Sequence, residues 1–116
     1  MRALTALLVT TALSVAAPAA ATTYSDSQAA AHVGETATVE GLVTGTHISS
    51  KGTEFINFGG RYPNQDFTAV IFARNAAQID VSQYYGKNLD VTGKIQLYQG
   101  KPEIIVGSPS QLVVVP

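Results

Sequence analysis

Two long runs of alternating residues, each carrying glycine on its apolar side, constrain the fold of this chain more than any other feature. In TATVEGLVTGTHI, residues 36–48, Ala37, Val39, Gly41 and Val43 fall on one side, and Thr38, Glu40, Leu42 and Thr44 on the other. In NLDVTGKIQLY, residues 88–98, Leu89, Val91, Gly93, Ile95 and Leu97 oppose Asn88, Asp90, Thr92, Lys94, Gln96 and Tyr98. Period-two alternation marks a strand with one face buried. Glycine inside such a strand lets it coil sharply, or lets another backbone approach. Gly41, Gly45 and Gly93 are therefore expected on the inner face, and Asp90 in water.

Three further strands are legible. TEFINF, FTAVIFAR and KPEIIV are apolar runs, and QLVVVP completes the last of them after a GSPS break. Gln99-Gly100 is a tight hairpin signal. SSKG reads as a turn and GGRYPNQD as a loop. NAAQIDVSQYYG holds a short helix ended by Gly86. Before the first strand, Ser25, Asp26 or Ser27 can cap a short helix over Gln28–His32, with Gly34 after it. Ala30, Ala31 or Val33 would pack this segment, residues 22–35, as a lid. Five strands with a helical segment between the third and fourth follow the order of an OB-fold. The expected fold is all-β: a five-stranded Greek-key OB barrel with a short N-terminal helix and a short helix between strands 3 and 4, over residues 36–116.

Residues 1–21 read differently. Arg2 precedes an apolar stretch from Ala3 to about Ala17, Pro18 breaks it, and Ala19-Ala20-Ala21 supplies the small residues of a cleavage site. This is a secretory signal peptide. A membrane anchor would need about 20 apolar residues, and this stretch is shorter and broken by threonines. The expected location is exported, periplasmic or extracellular, with nothing membrane-embedded after cleavage. Arg2 leaves with the signal, so six of the seven basic residues then face eight acidic ones. A chain binding nucleic acid by charge alone would be clearly basic. With no cysteine, an exported domain must rest on its apolar core rather than on disulfides.

The chain also resembles a known group at several points. AAHVGETATVEGLVTGTHISSKG, FINFGGRYPNQDFTAVIF and GKNLDVTGKIQLYQGKPEIIVGSPSQL are similar to a group of small bacterial OB-fold domains, over nearly all of residues 29–115. Members of that group stand alone behind signal peptides or beside nuclease domains. Their wider relatives are the nucleic-acid-binding OB-folds of exonucleases, helicases and aminoacyl-tRNA synthetases. The resemblance implies a fold and a nucleic-acid-binding tendency, not an activity.

Catalysis has no visible machinery. His32 and His47 are the only histidines, without a neighbour at ligand spacing, so no metal and no cofactor is expected. No serine lies in a nucleophile elbow. Asp66, Asp80, Asp90 and Glu103 are scattered, and Arg61 and Arg74 are the only arginines after Arg2. Lys51, Lys87, Lys94 and Lys101 read as dispersed solubilising charges. The chain is expected not to be an enzyme.

The most site-like segment is FINFGGRYPNQDF. OB-folds bind on the outer face of strands 2 and 3 and on neighbouring loops. Phe55 and Asn57 fall on the less apolar side of strand 2, Phe67 and Arg74 border strand 3, and the loop adds Arg61, Tyr62, Asn64 and Gln65. Aromatics stack bases, amides read base edges, and arginine holds phosphate. The same loop residues could equally pack and hydrogen-bond the loop itself. Two partner classes stay open: single-stranded nucleic acid, and an envelope or secreted protein.

Overall fold

The computed structural model describes residues 21–116, and the signal-like segment lies outside them apart from Ala21. Strands form where alternation predicts them: β2 (Thr36–Ile48), β3 (Glu54–Phe58), β4 (Phe67–Ile71), β5 (Asn88–Tyr98) and β6 (Lys101–Ile105). β2 pairs antiparallel with both β3 and β5. The remaining pairings are β3–β4 antiparallel, β4–β6 parallel and β5–β6 antiparallel. These five strands therefore form a closed circuit of hydrogen bonding within an all-β, OB-like fold.

Two short strands extend it. β1 (Thr23–Ser25) runs parallel to β2, and β7 (Leu112–Val115) antiparallel to β5. The QLVVVP segment thus resumes the fifth strand after the GSPS break, as a short separate strand: β6 pairs with Ile95–Tyr98 of β5 and β7 with Asn88–Val91, while β2 takes the other edge of β5. Gln111 makes the turn between β6 and β7. Its side-chain nitrogen donates to the Thr92 carbonyl at 2.9 Å, and its oxygen accepts from the Gly107 amide at 2.8 Å.

The core follows the alternation. Val39, Val43, Ile56, Phe58, Phe67, Ile71, Leu89, Val91, Ile95 and Ile104 are buried together. Gly93 behaves as expected: a Cβ there would lie 2.6 Å from Ile104 Cγ2, so only glycine lets β5 and β6 meet this closely. Gly45 does not. The register slips between Val43 and Gly45, a bulge that turns the rest of β2 over. Gly45 then stands opposite Asn57 on the outer face.

Helical segments are short. A 3-10 helix, Asp26–His32, follows β1, and the Ser25 amide donates to Gln28 Oε1 at 3.1 Å. Its buried residue is Ala29; Ala30, Ala31 and Val33 are exposed. His32 stacks on Tyr24 with ring centres 3.6 Å apart, and both side chains hydrogen-bond Glu35 at 2.7 Å. Between β4 and β5 lie α1 (Ala73–Ala76) and a 3-10 helix, Val81–Tyr84, whose Asp80 cap accepts from the Ser82 amide. Among the described residues no helix is long and apolar enough to cross a membrane.

Asp90 departs from expectation. It stands directly across from Glu40, is only half exposed, and has one carboxylate oxygen buried without a partner among the described residues. Burial, and then the Glu40 carboxylate, push its pKa up from 3.8 to about 6. A raised carboxyl pKa stabilises the folded state while both states hold the proton, and that stability is lost as pH climbs from about 4 to 6. Asp90→Asn should therefore raise the melting temperature at about pH 7.5 and lose that advantage near pH 3.5. Val91→Asp, one residue along, would bury an unpaired charge at a cost of several kcal/mol, a large part of a total stability of about 5–15 kcal/mol. Circular dichroism at about pH 7.5 should show the domain unfolded.

Candidate nucleic-acid interface

Alternation along β3, β4 and β6 sends every second side chain outward, and the strand register aligns them in rows. One row is polar: Gly45 of β2, Asn57 of β3, Thr68 of β4, Glu103 of β6 and Gln96 of β5 stand side by side. The next row is apolar and aromatic: His47, Phe55, Val70 and Ile105. The His47 and Phe55 rings stack across the strands at 6.0 Å and 24°. All members of the two rows except Gln96 and Ile105 line an open groove of about 930 Å³. Its walls are Arg61, Tyr62, Pro63 and Gln65 of the β3–β4 loop, Tyr85 before β5, and Tyr98 to Glu103 of the β5–β6 hairpin.

The floor is held by a hydrogen-bond relay. Gln65 Nε2 donates to Thr68 Oγ1 at 3.3 Å, and Thr68 donates to Asn57 Oδ1 at 3.0 Å. All three side chains are buried. The loop is tied down at both ends. The Thr44 hydroxyl donates to the Gly60 carbonyl at 2.8 Å, and Lys101 Nζ donates to the Gln65 carbonyl at 3.0 Å. Gly60 lets the loop fold back on itself, since a Cβ there would meet the Asn64 carbonyl oxygen at 2.6 Å. Lys101 is thus a strut of the groove wall, whereas Lys51, Lys87 and Lys94 are exposed.

The expected site residues separate into two sets. Phe55, Asn57, Arg61, Tyr62 and Gln65 line the groove. Tyr62 is 77% exposed, so its ring face is free for stacking. Asn64 is exposed but outside the lining, its amide closing a turn onto the Arg61 carbonyl. Arg74 sits in α1 with its guanidinium 5.1 Å from the centre of the Phe72 ring, also outside this lining. Phe67 is fully buried against Phe58, ring centres 5.3 Å apart. It offers no face to a ligand and belongs to the core, because β4 directs Phe67, Ala69 and Ile71 inward and Thr68 and Val70 outward.

His47, Tyr85, Tyr98, Lys101 and Glu103 join the groove without having been expected there. The alternation of KPEII could have flagged Lys101 and Glu103 as outward-facing. Arg61 and Lys101 supply positive charge and Glu103 the negative charge of the lining. Burial raises the Glu103 pKa, against the opposing effect of the Gln96 amide. Among the described residues no three His, Cys, Asp or Glu side chains gather to hold a metal ion.

No protein-family model matches the chain, and no curated protein matches it in sequence. Solved structures do. A protein of Leishmania major Friedlin assigned as an aspartyl-tRNA synthetase superposes on 86% of this chain with a TM-score of 0.54 and 12% identity. The likeness is one of fold. This chain spans only 22% of that protein. Asparaginyl-tRNA synthetase from Pyrococcus horikoshii aligns over 73% of this chain and 20% of its own, at 17% identity and a TM-score of 0.48. A Klebsiella pneumoniae protein assigned as a nucleic acid-binding lipoprotein is similar in size, with 78% and 79% coverage, at 14% identity and a TM-score of 0.44.

The two aromatic positions can be told apart by stability alone. Phe67→Ala should cost about 3–5 kcal/mol through the cavity it leaves. Tyr62→Ala should change stability by no more than about 0.5 kcal/mol. Urea unfolding of the two variants beside the parent measures both.

Proposed function

We propose that this chain is an exported, non-catalytic binding module that holds single-stranded nucleic acid along the outer groove of β2, β3, β4 and β6. The carrying observation is the juxtaposition of an aromatic row with a polar row, beside an exposed Tyr62 and a wall bearing Arg61. Bases stack on aromatic faces whatever their identity, amides and hydroxyls bond their edges, and the arginine meets the backbone. The OB-like fold is compatible with that use, and the Leishmania protein of similar fold is named for a tRNA-charging enzyme.

Magnitudes make the binding weak. Two stacked bases contribute roughly 2–6 kcal/mol together, while micromolar affinity needs about 8 kcal/mol. Two cations and a carboxylate in the groove close little of that gap. The module therefore works with a second copy, a partner, or a high local concentration of strand.

A short oligothymidylate titrated into isotope-labelled protein at low salt should move amides of residues 44–47, 55–70 and 98–103. Those of Leu42, Asp90 and Val113 should stay still. Tyr62→Ala should cost about 1–3 kcal/mol of binding, and Arg61→Ala should lower the salt slope by about one phosphate contact. A flat titration at millimolar oligonucleotide ends this reading. The second reading, docking of an envelope or secreted protein, is favoured by a different surface: Leu42 and Val113, at outward positions of β2 and β7, are 50% and 57% exposed. Export is tested separately, by intact mass: protein recovered outside the cytoplasm should begin at or within a residue or two of Thr22.

A further inference from the structure

Beside the main groove lies a smaller depression of about 210 Å³, lined by Thr53, Phe55, Val70, Phe72, Tyr98 and Glu103. Phe55, Val70, Tyr98 and Glu103 also line the groove, so the two are continuous. Three of the six lining side chains are aromatic and one is a carboxylate. Phe72 and Phe55 are half-buried, and Tyr98 is 62% exposed. The Arg74 guanidinium lies 5.1 Å from the centre of the Phe72 ring. Glu103 reaches this place because β6 sets it between Thr68 of β4 and Gln96 of β5.

We propose that this depression is a base subsite of the strand groove, selective for a base that presents two adjacent N–H donors to Glu103, which is guanine. The inference rests on the groove reading. A planar heterocycle fits aromatic walls through its faces and leaves its edge to the one charged group present. A carboxylate only accepts hydrogen bonds, and two parallel charge-assisted bonds make its strongest pairing. On the Watson–Crick edge of a splayed base, guanine offers N1–H and the 2-amino group side by side. Cytosine and adenine offer an amino group beside a ring nitrogen acceptor. Thymine and uracil offer one N–H between two carbonyl oxygens, which a carboxylate repels. Glu103 thus ranks guanine first and thymine last.

The test compares TTTGTTT with TTTTTTT on the full chain by fluorescence anisotropy. The parent should prefer TTTGTTT by roughly tenfold or more, the discrimination expected of one bidentate base contact. Glu103→Gln keeps the shape but loses the charge and exchanges one acceptor oxygen for an amide donor. It should bring the two strands close to parity. The Glu103 carboxyl carbon resonance should move with TTTGTTT and not with TTTTTTT. Guanosine monophosphate fills the subsite without the strand and should bind at least about tenfold more weakly than TTTGTTT. Equal affinity for the two strands, or a preference that survives Glu103→Gln, overturns the inference while leaving the groove reading intact. Guanosine monophosphate binding as tightly as TTTGTTT overturns the strand as the source of the base. Failure of both strands to bind ends the groove reading and the subsite with it.

Discussion

Everything else in this structure depends on β2 being paired along both of its edges. Its first half, Thr36–Leu42, bonds β5, and its second half, Val43–Ile48, bonds β3. A straight strand could not do both within one small sheet. The bulge between Val43 and Gly45 gives the strand its bend and also changes which residues face out. Without it His47 would point into the core, and the aromatic row of the groove would lack its first ring. One local slip in register therefore closes the circuit and shapes the surface.

The groove inherits its order from that closure. Parallel pairing of β4 with β6 sets Glu103 beside Thr68, and antiparallel pairing of β5 with β6 sets it beside Gln96. Polar and aromatic rows then lie one pleat apart. The β3–β4 loop would be free to move on length and composition alone. It is held instead by Thr44 and Lys101, from two distant parts of the chain, and by the bond of its own Gln65 to Thr68. Holding the loop keeps Arg61 and Tyr62 at the groove wall and lowers the ordering cost of any ligand that meets them.

Polar groups in and around this closed circuit of strands show where stability has been traded. Asp90 opposite Glu40 places like charges on adjacent strands, an arrangement that costs stability in a sheet. Glu54 is buried at the start of β3 with one oxygen unpartnered among the described residues, and burial raises its pKa. Neither group lines the groove. The buried relay of Gln65, Thr68 and Asn57 does line it, and it supports the floor on which the proposed ligand lies.

Period-two alternation with Gly41 and Gly93 was enough to read β2 and β5 from sequence, and apolar runs bounded by turn residues the other three main strands, because burial of a strand leaves a local pattern. Phe55, Asn57, Arg61, Tyr62 and Gln65 were legible as one outward-facing group, and they line the groove, for the same reason: they follow an outward phase and a loop composition visible within a few positions. Phe67 was not, since FTAVI is apolar on both faces and its phase is undetermined until neighbours cover one side. Gly45 and His47 changed faces through a bulge that no residue type announces. Tyr98, Lys101 and Glu103 lie over 30 residues from the β3–β4 loop in sequence, and only ring closure brings them to the same groove. Strand identity is set by contacts a chain makes with its own neighbours in sequence; which strands sit side by side, and so which side chains share a site, is set by long-range pairing.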